Sequence, residues 1–487
     1  MKSSDGSRAV GAEESLQNNA QNGAPQLKRA MGFRDVVLFF ITACINLQWV
    51  ATAAGVGPKA IGLWLLAFAM MMLPLAFCVI ELSSRYPQEG GIYVWSKHAF
   101  GEFGGFMTGW SYWISNLPYF PGVLFFGISN ALFIGGERWQ HLADNSSFMV
   151  SASILLLGLA TYMNLVGLNV GKWLNNAGAI ARWLAALGLM TIGIITWIKF
   201  GSATEFSGSA MIPGARFKDL MFWATFAFAI TGLEAASFMG DEIKDARRTI
   251  PRAIFVAAPI VILVYIISTV SVQVAVPASD ASRMQGIMEA IQAMTHRLGV
   301  GALSPIAAFL VALSAIGSVG LWLGASARLP FVVGIDHFLP KWFARVHPKW
   351  HTPHYSLLFL AGIEVACILF AQAGTNVKQA YEFLVSMSII SFLIPFLMVF
   401  ASLIRLQREP AGPGVRRVPG GKPVAILVGC IGFFSVSTAI VLAFVPPEDD
   451  PDPVWFVKKL VYSTLVMILS GAILYALGRR KSRSFQP

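Results

Sequence analysis

A carboxylic acid and a guanidinium group lie inside long apolar runs of this chain. Glu234 directly follows the Thr231-Gly232-Leu sequence, in which the Thr-Gly pair weakens a helix. Arg182 lies about two helical turns inside another apolar run. An ionisable side chain at the centre of a membrane helix costs about 3 kcal/mol, and such residues usually mark substrate or ion pathways. These two residues are therefore the first candidates for coupling or gating chemistry.

Each candidate also has a structural interpretation. Glu234 could bind and release a proton or gate a substrate pocket, or it could be a permanently protonated carboxyl that bonds a neighbouring helix. Arg182 could occupy a cation site, pair with a carboxylate, or extend to the cytoplasmic end of its helix. The sequence favours a functional role for Glu234 and leaves the interpretations of Arg182 open.

Two amides interrupt the first apolar run. Asn46 and Gln48 are two residues apart and therefore cannot share one face of a regular helix. Local unwinding around a cavity would accommodate both, and hydrogen bonding between helices is the alternative. Together with the proline-kinked segment around Tyr119, these breaks predict a substrate site. Its expected residues are Asn46, Gln48, Trp49, Tyr119, Phe228, Thr231 and Gly232.

The elements that must hold these residues are membrane helices. Only 13% of the 487 residues are charged, whereas soluble domains carry about 25%. A span needs about 20 apolar residues, and runs of this length exclude the strands of a membrane barrel. We therefore predict an all-α polytopic membrane protein with 12 spans. The spans are expected at 36–56, 60–82, 103–134, 148–167, 176–199, 220–240, 252–276, 302–327, 355–373, 380–404, 424–445 and 457–478.

The distribution of basic residues sets the expected orientation. With the N-terminus inside, about 25 of the 36 Lys and Arg residues lie in cytoplasmic segments, as the positive-inside rule requires. The net charge of +11 is thus a topology signal, and no nucleic-acid partner is expected. We expect a multi-pass protein of the cell membrane with both termini cytoplasmic. The predicted segments are a disordered tail 1–30, a ten-helix transport core 31–404, a cytoplasmic loop 405–423, two additional helices 424–478 and a cytoplasmic tail 479–487.

Two polar stretches outside the spans have helical character. Residues 90–100 predict a short interfacial helix, and the apolar spacing within 280–298 fits either a short amphipathic helix or an ordered loop. Metal binding is not expected, because two prolines interrupt the His347, His351 and His354 cluster and no Cys or carboxylate completes a ligand shell. The sequence also lacks phosphate-loop and hydrolase motifs, so we expect neither a cofactor nor an enzyme.

Four segments, in this order and spacing, resemble the amino acid–polyamine–organocation permeases over nearly the whole chain. The first is Glu81-Leu-Ser-Ser-Arg-Tyr-Pro-Gln-Glu-Gly-Gly-Ile-Tyr-Val-Trp95, which continues to residue 113. The second is Phe226-Ala-Phe-Ala-Ile-Thr-Gly232-Leu-Glu234, and the third is Glu242-Ile-Lys-Asp-Ala-Arg-Arg-Thr-Ile-Pro251. The fourth combines Ala325-Ser-Ala-Arg328-Leu-Pro-Phe, Asp336-His-Phe-Leu-Pro340 and Thr352-Pro353.

The resemblance implies a LeuT-type fold. Such a fold has two inverted repeats of five helices, with the first and sixth helices broken at the midplane, and here two further helices follow. Family members bind small molecules at these breaks and move them by alternating access. Arg182 corresponds to the position where sodium-independent members place a basic residue that mimics a sodium ion. The resemblance thus favours proton coupling or exchange.

One departure from the family pattern bears on the substrate. The family's first break reads Gly-Ser-Gly, whereas Asn46-Leu-Gln48 stands at that position here. Glycine lets the backbone approach a carboxylate closely, and Asn and Gln offer side-chain amides instead. We therefore expect a permease for amino acids or related amines, with protons as a coupling partner and the lipid bilayer as its environment. The alternative is a nutrient sensor or scaffold that has lost transport activity.

Overall fold

The computed structural model describes residues 31–87, 90–166, 168–214, 221–239, 243–327, 329–332, 338–345, 347–350, 352–412, 414–447 and 450–483. Fifteen helices are labelled α1 to α15, and α3 contains a π-helical turn at Phe68–Met72. They are α1 Phe33–Cys44, α2 Leu47–Ala54, α3 Lys59–Arg85, α4 Ile92–Ile114, α5 Asn116–Ala131, α6 Ser146–Val166, α7 Leu168–Phe200, α8 Trp223–Ala229, α9 Ala246–Ala275, α10 Gly286–Arg297, α11 Leu303–Ser326, α12 His354–Gln372, α13 Val377–Leu406, α14 Gly421–Ala443 and α15 Pro453–Arg483. Shorter helical turns cover Leu132–Gly135, Glu137–Gln140, His141–Asp144, Leu233–Met239, Leu329–Val332 and Lys341–Ala344.

The described residues form an all-helical protein, with one isolated bridge between Met31 and Ile243. Within the described residues, ten helices are long and apolar enough to cross a membrane, or eleven if the bent pair α1 and α2 is one span. The predicted count of twelve is therefore not confirmed. The expected span 220–240 instead contains α8 and a 3-10 helix, each of seven residues, so neither reaches spanning length.

Both expected helix breaks are present. α1 and α2 are bent by 46° across Ile45 and Asn46, and three residues separate the end of α8 from the 3-10 helix that contains Glu234. The short helix expected at 90–100 forms the start of α4, which is kinked at Gly101. The amphipathic helix expected within 280–298 is α10, whose apolar residues are buried. The predicted N-terminal tail 1–30 and residues 484–487 of the C-terminal tail lie outside the described residues, as does Arg328 of the fourth family segment.

The close packing of α7 against α11 positions one side of the site. A Cβ atom added to Gly178 on α7 would lie 2.6 Å from the Cα atom of Gly317 on α11, so only glycine permits this approach. Arg182 is one turn beyond Gly178, and Ser314 and Ser318 flank Gly317 on the facing helix. The glycine contact therefore brings the Arg182 side chain within reach of α11.

Candidate functional site

Asn46 forms the first break. Its backbone is extended, and its side-chain oxygen accepts a hydrogen bond from the Gln48 N–H at 3.2 Å, which caps the start of α2. The Asn46 amide also donates to the Tyr119 hydroxyl at 2.5 Å. The amide that replaces glycine at this position thus ends one helix segment, starts the next and fixes Tyr119 on α5.

Gly232 forms the second break. Its φ of +123° is unfavourable for other residues, and an added Cβ would lie 3.0 Å from the Cys44 sulfur. The preceding Thr231 donates its hydroxyl to the Phe228 carbonyl at 2.7 Å, so it closes the last turn of α8. The two breaks therefore touch each other through Gly232 and Cys44.

Tyr265 on α9 joins the two breaks, although no sequence motif marks it. Its hydroxyl accepts from the Asn46 N–H at 3.1 Å and lies 2.7 Å from the Cys44 carbonyl and 3.0 Å from the Ala229 carbonyl. A hydroxyl carries one hydrogen, so it can donate fully to only one of these carbonyls at a time. A single tyrosine in an apolar helix leaves no spacing signal that would reveal this role.

We expect Tyr265→Phe to loosen both breaks. The change removes the hydrogen bond accepted from the Asn46 N–H and the one donated to a carbonyl of Cys44 or Ala229, and it leaves buried main-chain groups without a partner, each at a cost of about 1–3 kcal/mol. The thermal midpoint of the purified protein should fall, and substrate affinity should fall with it. Tyr162→Phe on the exposed face of α6 is the matched control and should change neither. An unchanged midpoint and affinity in Tyr265→Phe would show that this contact does not hold the breaks.

Arg182 connects the first break to α11. Its guanidinium donates to the carbonyls of Thr42 and Ile45 at 3.0 and 3.2 Å, and to the Ser314 hydroxyl at 3.4 Å. It also bonds the hydroxyl of Ser318. The side chain is 8% exposed and points inward rather than toward the helix end. A fixed positive charge thus lies among carbonyl and hydroxyl oxygens, the ligands that a hard cation would prefer.

Gly178→Ala should displace Arg182 without changing its charge. The new methyl group would meet backbone atoms of α11, which cannot rotate away, so α7 and α11 must separate at a cost of about 1–3 kcal/mol. We expect a lower thermal midpoint and weaker transport. Gly188→Ala on the same helix has open space around the new atom and should be neutral or stabilising. Equal behaviour of the two variants in melting and uptake assays would contradict this role of the glycine contact.

Glu234 is fully buried beside the second break. Its carboxyl oxygens accept from the Gly232 N–H at 2.9 Å and from the Tyr112 hydroxyl at 3.2 Å. Tyr112 belongs to α4, so the carboxyl connects the second break to the predicted third span. Among the described residues, the donors to this carboxyl are neutral, an arrangement that can accommodate either of its protonation states.

The two breaks enclose a small cavity. It has a volume of about 50 Å³, enough for a few water molecules. Six of the seven predicted substrate residues line it, together with Glu234. The lining residues are Ala43, Cys44, Asn46, Trp49, Asn116, Tyr119, Phe228, Ala229, Thr231, Gly232, Glu234, Trp322 and Phe392. Asn116 lies in the proline-kinked segment that was expected to line the site, whereas Trp322 and Phe392 were not expected, because they reach the cavity from α11 and α13 through the tertiary fold.

Gln48 is the predicted residue that does not line the cavity. It follows the cap residue Asn46 by two positions, which turns its side chain away from the face that carries Trp49. Its amide nitrogen faces Gly122 on α5, and its amide oxygen has no hydrogen-bond partner among the described residues. Gln48 therefore lies behind the cavity wall.

Aromatic rings cover one side of the cavity. Phe228 packs edge-to-face against Trp49 with ring centroids 5.0 Å apart, and against Phe392 at 5.1 Å. Tyr119 lies 6.4 Å from the same ring. Faces of aromatic rings attract cations, most strongly where water is excluded. The wall therefore suits an apolar chain that carries a positive charge.

The hydrogen-bonding groups at the breaks also favour a cation. The N–H groups of Asn46, Gln48 and Gly232 are already bonded to side chains of the protein. In contrast, the carbonyls of Ile230 and Thr231 accept no hydrogen bond from any described residue. Acceptors thus remain available beside the Glu234 carboxyl, and the N–H groups of Asn46, Gln48 and Gly232 are not available to a carboxylate.

Two other acidic residues of the membrane helices lie away from this cavity. Glu81 pairs with Arg85 at 2.8 Å and accepts from the Val418 N–H at 2.9 Å, so it ties α3 to the segment before α14. Glu364 on α12 is fully buried, and neither of its oxygens has a hydrogen-bond partner among the described residues.

Proteins of similar sequence are named as transporters. The chain is 24% identical to an uncharacterized transporter of Legionella pneumophila over 92% of this chain and 95% of the relative. It is 20% identical, with the same coverage, to the probable agmatine/putrescine antiporter AguD of Lactococcus lactis. It is 27% identical to the low-affinity putrescine importer PlaP of Escherichia coli over 62% of this chain and 66% of that protein.

The fold also matches a solved structure. The crystal structure of MhsT in complex with L-phenylalanine superposes with a TM-score of 0.56 at 14% identity, covering 93% of this chain and 100% of that one. This likeness shows a LeuT-type fold. The amino acid permease family model matches residues 31–471. The protein is thus a multi-pass membrane transporter of small molecules rather than an enzyme, and it belongs to the amino acid permease family.

Proposed function

We propose that this permease transports small organic amines that lack an α-carboxylate, such as diamines, around a site between the two helix breaks. The observation that carries this proposal is the occupancy of the hydrogen-bonding groups. The N–H groups of Asn46, Gln48 and Gly232 are bonded within the protein, and carbonyl oxygens remain beside Glu234. An ammonium group needs acceptors, whereas a carboxylate needs donors.

The relatives support this substrate class. AguD and PlaP are named for agmatine and putrescine, both of which are amines without a carboxylate. In the proposed binding mode, the ammonium of the substrate meets the carbonyls of Ile230 and Thr231 and the carboxyl of Glu234. Its apolar chain then packs against Trp49 and Phe228. Because the cavity measures about 50 Å³, this aromatic wall must move to admit the substrate.

We further propose secondary active transport without sodium. The Arg182 guanidinium stands among oxygens that a sodium ion would otherwise bridge, which removes the need for that ion. Glu234 would provide the coupling, because a carboxyl can hold either a proton or a cationic substrate. Competition between a proton and the substrate for the Glu234 carboxyl is compatible with proton-coupled transport and with exchange. We expect the protein to use one of these two mechanisms. The alternating-access motion would pivot on the two breaks.

We also propose the number of membrane spans, their arrangement in repeats and the orientation of the termini. Twelve spans in two inverted five-helix repeats, with two helices after them, would account for the ten or eleven apolar helices and the separate pieces of the sixth span. The distribution of basic residues supports cytoplasmic termini in a cell membrane.

Matched pairs of ligands test the substrate class. Agmatine and arginine, putrescine and ornithine, and cadaverine and lysine each differ by one carboxylate. We expect each amine to raise the thermal midpoint of the purified protein more than its amino acid does, because a ligand stabilises the protein according to its affinity. Equal or larger shifts with the amino acids would contradict the proposal.

A further inference from the structure

A second cavity lies behind one wall of the substrate site, between α5, α12, α13 and α15. It has a volume of about 370 Å³, and we call it the Leu117–Met467 cavity after two of the residues that line it. Ten of its fourteen lining side chains are hydrocarbons or thioethers. Among the polar ones, the Ser391 hydroxyl already donates to the Met387 carbonyl at 2.6 Å. A buried water molecule needs about two to four polar partners, so this cavity is unsuited to water.

The cavity opens toward the lipid. Phe370 on α12 and both Tyr462 and Val466 on α15 line it, and they are 42%, 61% and 67% exposed. Both helices are long and apolar enough to cross a membrane, so the exposed side chains at mid-helix contact hydrocarbon. An apolar cavity of about 150 Å³ stays dry and takes up benzene. A cavity more than twice as large, with access from the bilayer, therefore fits a section of an acyl chain.

The end of the cavity near the start of α15 carries groups that suit a phospholipid. Lys458 is exposed and lies four residues before Tyr462, which is about 6 Å along the helix. An ammonium group and a phenol are both donors, and a phosphate is an acceptor. The neighbouring Lys459 instead bonds three carbonyls at the end of α12, at 2.8–3.2 Å. Lys459 thus closes this end of the cavity, so a chain must enter from the side, below Lys458.

One wall separates this cavity from the substrate site. On α5, Asn116 and Tyr119 line the substrate cavity, whereas Leu117 and Pro118 line the apolar one. α13 also contributes residues to both spaces. The two cavities are therefore separated by the thickness of a single helix.

This wall is weakened where the two cavities meet. Pro121 lies inside α5 and has no N–H, so the Leu117 carbonyl lacks its usual donor in the helix. On the other side of the same turn, the Tyr119 hydroxyl accepts from the Asn46 amide at 2.5 Å. A displacement of Leu117 and Pro118 is therefore passed through Tyr119 to the first break.

We propose that the Leu117–Met467 cavity binds an acyl chain of a membrane phospholipid, which supports the wall of the substrate site from behind. The phosphate of this lipid lies at the level of Lys458, and its chain passes Tyr462 and reaches Pro118. When the chain is bound, Tyr119 stays beside Asn46. When it is absent, the weakened turn of α5 moves into the free space and substrate affinity falls. Lipid binding is independent of the proposed amine transport, whereas the effect on affinity rests on it.

Filling the cavity with a side chain tests the proposal. Ser463 lines the cavity from α15, so Ser463→Phe places a ring where the acyl chain lies. Val461→Phe puts the same ring on a lipid-facing position of α15 outside the lining, and is the matched control. Purified proteins are delipidated, palmitoyl-oleoyl phosphatidylcholine is added, and retained lipid is counted by native mass spectrometry. We expect one tightly retained phospholipid in the parent and in Val461→Phe, and none in Ser463→Phe.

Putrescine affinity, measured by thermal shift with and without the added lipid, tests the support of the wall. We expect the lipid to raise the affinity of the parent about fivefold, at the lower end of usual couplings between sites. Ser463→Phe should have the higher affinity without lipid and should not respond to it. Should Ser463→Phe fail to fold, Ser463→Leu fills part of the same space and should show the same loss of lipid and of lipid response.

Other outcomes overturn the proposal. Equal lipid retention in the parent and Ser463→Phe would show that the chain does not enter this cavity, and equal loss in Val461→Phe would assign the lipid to the general surface of α15. A parent dimer that Ser463→Phe dissociates, without retained lipid, would give the cavity to a second copy of the chain. Lipid retention without any change in putrescine affinity would refute the support of the wall. A folded, lipid-bound parent that binds no amine overturns the proposed function and leaves the lipid site intact.

Discussion

Replacing Arg182 with glutamine should reduce transport by at least about a hundredfold. The guanidinium bonds two carbonyls of the first break and two serine hydroxyls of α11. A hydrogen bond to a charged group contributes about 1.5–3 kcal/mol, so losing two of them costs about 3 kcal/mol or more. A shorter, neutral side chain cannot restore these contacts. Uptake by proteoliposomes and the thermal midpoint of the purified variant measure the loss.

Conservative substitution and rescue separate charge from packing. Arg182→Lys keeps the charge but cannot span the same set of oxygens, so it should retain part of the activity. Arg182→Ala leaves space, and sodium or guanidinium ions should raise its thermal midpoint while leaving that of the parent unchanged. Near-parental transport by Arg182→Gln, or no ion dependence in Arg182→Ala, would argue against a fixed cation at this position.

Glu234→Gln should remove the pH dependence of uptake. Glutamine has nearly the same shape, its oxygen can accept from the Gly232 N–H, and the Tyr112 hydroxyl can rotate to accept from its amide. The variant should therefore fold and still bind amines, with lower affinity because it carries no charge. Exchange of amine for amine should continue. Uptake is measured across a series of pH values in parent and variant.

Glu81→Gln is a suitable comparison for this experiment. Glu81 is also a buried acidic residue, but it pairs with Arg85 away from the cavity. Its replacement should alter stability rather than the shape of the pH profile. A Glu234→Gln profile that superimposes on that of the parent would assign this carboxyl a structural role only.

The sequence predicted the helix breaks because their causes are local. An amide cap such as Asn46 and a glycine such as Gly232 act on the backbone within a few residues of themselves. The apolar runs likewise follow directly from composition. The sixth predicted span departs from its apolar run. The run is continuous in sequence, but the structure divides it into two helical pieces of seven residues each, and each piece is shorter than a membrane span.

The remaining parts of the site depend on tertiary contacts. Tyr265 bridges the breaks from α9, and the partners of Arg182 on α11 are reached only because two glycines meet. Neither contact leaves a pattern along the chain. Gln48 was predicted from its polarity to lie in the site, and its position after the cap directs its side chain toward α5 rather than into the cavity.

Counterflow of labelled putrescine into proteoliposomes tests the central claim most directly. The vesicles contain unlabelled putrescine, and uptake is compared in sodium and in choline media. We expect saturable uptake that is equal in the two media and is inhibited by agmatine more strongly than by arginine. A folded protein that gives no uptake above empty vesicles would favour a sensor or scaffold, and uptake that requires sodium or prefers arginine would contradict the proposed site.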